Sequence, residues 1–209
     1  MPDRIELATS GRARCRACRR AIEKGQERFA EAVPNPVAEG ESQHYYHLAC
    51  AAERRPKAFS GLLGALEPAR PELAPLGEAA ALALRHHRLE RLGALERAKS
   101  ARAACRHCRE PIEKDAWRVA LQPIEDGRLG SWGFVHLACV AAYAGVKPDL
   151  ERLTRYTELS PPERDAVASI LAALPEPEPH PPGAADTEAD AEPPAPGAAN
   201  AIEGPPDQP

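Results

Sequence analysis

Aromatic side chains are scarce in this chain, nine among 209 residues, so no module it builds can rest on a large aromatic core. Long apolar runs are missing too: nothing approaches the roughly 18 consecutive apolar residues of a membrane-spanning helix. The opening stretch, MPDRIELATSGRARC, has no apolar centre that could serve as a secretory signal. From Pro175 onward there is no Lys or Arg, although 8 acidic residues and 11 prolines stand there. Cysteine is confined to six positions, every one inside two short motifs. These absences exclude a membrane helix, argue against an exported disulfide scaffold, and lead us to expect a soluble, intracellular chain that is not secreted.

The formal charge of −4 is unevenly placed. Upstream of Pro175, 27 basic residues face 23 acidic ones, so an acidic tail masks a mildly basic body. Bulk charge alone does not argue for nucleic acid.

The cysteine motifs organise the rest. Cys15 and Cys18 form CRAC, and 28 residues later HLAC brings His47 and Cys50; Cys105 and Cys108 form CRHC, and 27 residues later an identical HLAC brings His136 and Cys139. A pair of thiolates two residues apart, met at long range by an imidazole and a third thiolate, supplies a tetrahedral zinc site. The repeat also selects the histidine, because His44 has no counterpart in the second copy. His107 has only Ala17 opposite it and is expected to be exposed. Disulfides are the competing use, but three cysteines per repeat cannot all pair within a repeat. With metal, each site carries about −1, leaving the body near +2. A unit of roughly 40 residues buries too little surface to fold unaided, and structural zinc contributes about 10–16 kcal/mol to small fingers. We expect two structural Zn²⁺ ions. A closed four-ligand site has no position for water, and no base and nucleophile stand beside a glycine-rich loop, so no catalytic residues and no enzyme are expected.

Arg12, Arg14, Arg16, Arg19 and Arg20 crowd the first cysteine pair with no acidic residue among them. They either offset thiolate charge or meet phosphate; five exceed what a net −1 needs, which favours phosphate for some. Ile22-Glu23-Lys24-Gly25 is matched by Ile112-Glu113-Lys114-Asp115, a tight turn into a strand. Strands are predicted at 28–33 and 117–122, with 43–47 and 132–136 returning antiparallel. Helices are predicted at 48–54, 57–66 and 137–144, then at 150–156 and after the capping box Ser160-Pro161-Pro162-Glu163. There Val167, Ile170, Leu171 and Leu174 give the final helix one apolar face. Leu82, Leu89, Leu92 and Leu95 predict a longer helix over 76–99, read as a solvated connection between modules. Adjacent His86 and His87 would point apart on such a helix and make a poor metal pair. Beyond Pro175 the proline-rich, acidic composition predicts a disordered tail.

At this point the chain resembles a known family. CxxC, 27 to 28 residues and HxxC, with Ser10-Gly11-Arg12-Ala13 before the first cysteine and Tyr45-Tyr46 before His47, is similar to the poly(ADP-ribose) polymerase-type zinc finger, also found in a DNA ligase. The second copy has Lys99-Ser100-Ala101-Arg102-Ala103 in the leading position. The resemblance covers about residues 10–174 and includes nothing of the family's catalytic domain. It implies an α+β fold: a first finger at 1–74, a helical linker at 75–99, a second finger at 100–174 and the tail at 175–209. It also implies recognition of nicked or broken duplex DNA, with Arg12 and Arg102 gripping the backbone beside Arg16. Apolar residues of the loop between strands would stack on an exposed base pair, at about 1–3 kcal/mol per base. In the second loop these are Ile124 and Leu129 with Arg128 beside them; the first, Pro36 to Glu41, offers Val37 alone with two acidic groups. A DNA-associated place in the nucleoid or nucleus is implied. The alternative is a zinc-stapled adaptor that binds a protein through the acidic loops and tail.

Overall fold

Two three-stranded antiparallel sheets carry the chain, and the 90-residue repeat is visible in both. The computed structural model describes residues 2–35, 39–125 and 128–177. The first sheet holds β1 (Arg4–Leu7), β2 (Glu27–Pro34) and β3 (Glu41–His47) in that order; the second holds β4 (Leu92–Arg97), β5 (Trp117–Leu121) and β8 (Phe134–His136). Between β5 and β8, β6 (Ile124–Glu125) and β7 (Arg128–Leu129) form a separate two-stranded ladder. The turns into β2 and β5 have the expected form: Gly25 and Asp115 stand at φ +81° and +64°, a left-handed conformation that glycine takes freely and aspartate tolerates.

Helices follow each HLAC. In the first module α1 (Leu48–Arg54) is closed by Arg55, and Pro56, which cannot continue it, opens α2 (Pro56–Ala65) at the position where proline is tolerated. A third helix, α3 (Ala74–Arg85), lies against both. In the second module a 3-10 turn (Leu137–Cys139) leads into α4 (Val140–Ala144), capped by Gly145 at φ +70°. Next come α5 (Leu150–Thr154) and α6 (Pro161–Ala173), the latter with both hydrogen bonds of its capping box. The first core gathers Ile22, Phe29, Tyr46 and Phe59, with Phe59 edge-on to Phe29 at 5.7 Å. The second gathers Leu89, Leu92, Leu95, Val119, Val135 and Leu137, and α6 covers it with Val167 and Leu171.

Two expectations need correction. The stretch 76–99 is helical only through Arg85; after a 3-10 turn (His87–Arg91) it becomes β4, which pairs with β5. The misleading signal has a physical cause: the ladder slips between Leu92 and Leu95, and an irregularity that adds a residue puts two core-facing leucines three apart, as a helix would. Gly93 belongs to the same device, since a Cβ there would fall 2.1 Å from Gln122 Oε1. The opening stretch, where no strand is predicted, contains β1. Carrying the repeat further upstream would have found both strands, for Ile5-Glu6 stand 90 residues before Leu95-Glu96. The expected tail lies almost wholly outside the described residues.

Candidate metal centres and nucleic-acid interface

Each knuckle is a tight turn that brings its two cysteines together. Cys15 N donates to Arg20 O while Arg19 N donates to Cys15 O, and Cys105 N and Arg109 N repeat this with Glu110 O and Cys105 O. Arg19 and Arg109 take the same left-handed conformation, at φ 63° and 67°. The histidine comes from the last residue of β3 or β8 and the fourth ligand from the helical turn behind it. The ligand atoms of Cys15, Cys18, His47 and Cys50 all lie within 4.8 Å of one another, as do those of Cys105, Cys108, His136 and Cys139.

The spacing fits zinc. At Zn–S of about 2.3 Å and Zn–N of about 2.0 Å, a tetrahedron holds sulfur and nitrogen about 3.5 Å apart. His47 Nδ1 lies 3.3 Å from Cys18 Sγ and 3.9 Å from Cys50 Sγ; His136 Nδ1 lies 3.4 Å from Cys108 Sγ and 3.8 Å from Cys139 Sγ. The other ring nitrogen donates outward: His47 Nε2 to Ala21 O and His136 Nε2 to Pro111 O, both at 3.1 Å. That bond fixes the tautomer and leaves Nδ1 free to ligate. Protonation points the same way. A hydrogen bond with Cys15 pushes the Cys50 thiol far above its ordinary range, and burial, followed by the charge of Cys105, pushes Cys139 up to about 12. The crowded thiols cannot all ionise alone, and a dication reverses this by deprotonating the sulfurs it binds. The two groups therefore hold two structural zinc ions. His44, buried on β3, stands outside the ligand group, and His107 is exposed.

The arginines sort into two kinds. Arg12 and Arg102, three residues before the first cysteine of each knuckle, are exposed and have no side-chain partner among the described residues. Arg16 is half-buried and equally unpartnered by its side chain, whereas Arg14 donates to Arg19 O, Arg20 to Arg155 O and Arg106 to Trp132 O. Arg128 is exposed on β7 opposite Glu125, and Leu129 is half-buried opposite Ile124. Ile124 itself packs against the core of the first module, and its carbonyl accepts from Arg55. Pro36, Val37 and Ala38, and the loop tip Asp126-Gly127, lie outside the described residues.

Fold and ligands together define a pair of small zinc-stapled α+β fingers. Residues 6–64 match the model of the poly(ADP-ribose) polymerase and DNA-ligase zinc-finger region. The first module is a PARP-type zinc finger, and the second Cys3His group, in the same order and frame, points to a second copy. Among curated proteins the chain is similar to poly [ADP-ribose] polymerase 1 of Danio rerio, 29% identical over 65% of this chain. It is also similar to poly [ADP-ribose] polymerase of Sarcophaga peregrina, 25% identical over 84%, and to poly [ADP-ribose] polymerase 1 of Oryza sativa subsp. japonica, 26% over 80%. The matches cover 15%, 20% and 17% of those relatives' own lengths. No helix among the described residues is long and apolar enough to cross a membrane.

Proposed function

We propose that the chain is a zinc-dependent DNA-binding protein that engages breaks or ends in duplex DNA, without catalysis of its own. The observation that carries this is the pair Arg12 and Arg102: equivalent, exposed and without a side-chain partner among the described residues, on the turns that lead into the two metal groups, whereas Arg14, Arg20 and Arg106 are taken up by carbonyls. A guanidinium held out on a rigid turn is suited to phosphate. Arg16 adds charge beside the first. Arg128 and Leu129 are the proposed contacts at the second loop, Ile124 being taken up by the first module. We place the boundary between modules near His86, since α3 packs on the first module and β4 belongs to the second sheet. Such a protein would reside with DNA, in nucleoid or nucleus.

The family match supports this reading, because the matched region is a zinc-finger region, and thiols committed to metal are closed to nucleophilic work. The adaptor reading has one observation of its own, the exposed Leu84 on the groove between α2 and α3. Fluorescence anisotropy with a labelled nicked duplex tests the DNA reading. Binding should weaken steeply with salt, and Arg12→Ala with Arg102→Ala should reduce the slope of log K against log salt by about 0.9 per lost phosphate contact. Salt-independent binding, or a slope untouched by both substitutions, would contradict it.

A further inference from the structure

The two modules do not meet as strangers across a linker. The end of α1 and its cap residue present Glu53, Arg54 and Arg55, and all three reach into the second module. Arg54 is 3% exposed; its Nη1 donates to Leu92 O at 2.7 Å, its Nη2 donates to Gln122 O, and its guanidinium lies 5.1 Å from the ring centroid of Tyr156. Glu53, 4% exposed, accepts from Arg155 Nε at 2.9 Å and from Tyr156 Oη at 2.8 Å. Its backbone carbonyl accepts from Arg152 Nη2, which also donates to Leu89 O at 2.9 Å. Arg55 is held by Glu31 and donates to Ile124 O at 3.5 Å.

Directional bonds between buried groups select one arrangement. A buried ion pair adds little net stability over an apolar contact, but a shifted arrangement would leave charges dry and unpaired, which is strongly disfavoured. Three backbone carbonyls of the second module, at Leu92, Gln122 and Ile124, accept from Arg54 and Arg55, and Arg152 of the second module donates back to Glu53 O, so pose and register are set together.

We infer that this joint fixes the relative pose of the two fingers before any ligand arrives, with Glu53 and Arg54 as the positioning residues. The pair is a single rigid body in the free state rather than two beads on a flexible connection. The consequence for DNA rests on the proposed function: Arg12 and Arg102 are offered to a partner at one set separation.

The test needs no DNA. Amide nitrogen-15 relaxation on the zinc-loaded full chain should return one rotational correlation time for both modules. In Glu53→Ala/Arg54→Ala, with two zinc ions retained, the modules should separate into two shorter times. If that variant fails to fold, Arg155→Ala with Tyr156→Phe removes the side-chain contacts of Glu53 from the other side and should raise amide exchange in β4 and α5. Two independent correlation times in the unaltered chain would overturn the inference, as would variants that fold and tumble as the parent does. DNA titration is a separate arm: a chain that tumbles as one body yet ignores nicked duplex keeps the joint and refutes the proposed function. If both hold, loosening the joint should weaken binding to a nicked duplex about tenfold by removing preorganisation.

Discussion

The guanidinium of Arg118 lies 3.5 Å over the ring of Phe134, with Glu96 Oε1 2.5 Å from its Nη2. The first module builds the same triad from Arg28, Tyr45 and Glu6, at 3.6 Å and 2.5 Å. In each sheet the arginine comes from the middle strand, the carboxylate from one edge and the ring from the other. The three strands of each sheet are thereby tied together by side chains as well as by the ladder.

Removing the carboxylate leaves a nearly buried guanidinium without its anion. Glu96→Ala should destabilise the zinc-loaded protein by about 1–3 kcal/mol, read as a shift in urea midpoint at unchanged slope.

In the first copy the pH dependence has a definite sign. Burial raises the Glu6 carboxyl, but hydrogen bonds from Arg28 and Arg4 outweigh it, so its value is lowered on folding. Its contribution is therefore complete above the unfolded value, near pH 4.5, and is lost as pH falls through the folded one. The difference in melting temperature between the parent and Glu6→Gln should be full at pH 7 and shrink below about pH 4, both measured with zinc in excess.

Metal content gives a third expectation. Purified, reduced protein should hold two zinc ions per chain by elemental analysis, and Cys105→Ser should lower the second site's affinity and unfold its module first. Acid should release both ions as the thiols protonate. Retention of the native amide spectrum after complete chelation would contradict a structural role.

At Gly93, substitution by Ala should push the Gln122 side chain aside and break its bond to Ala94 N, 3.3 Å long. The cost should be about 0.5–1.5 kcal/mol, because a flexible side chain, not backbone, has to move.

Much of the site was legible in the sequence because zinc ligation is local and its spacing repeats: all eight ligands, both turns at Gly25 and Asp115, and α1 could be read directly. The ladder slip at Leu92 and Leu95 could not, since three-residue spacing of leucines has the period of a helix. Short β1 was hidden by its polar composition, with only Ile5 and Leu7 to mark it. The joint was wholly invisible. Arg54 reads as one more basic residue at a helix end, where it would favour the dipole, and nothing in its neighbours says that it turns inward to the carbonyls of Leu92 and Gln122.

The most direct measurement is an electrophoretic mobility comparison of nicked, blunt-ended and uninterrupted circular duplex, each with and without a zinc chelator. The account predicts that the nicked and blunt molecules are shifted at protein concentrations that leave the circle free, and that chelation abolishes every shift. Equal binding to all three would contradict the recognition of breaks, and binding that survives complete removal of zinc would contradict the account as a whole.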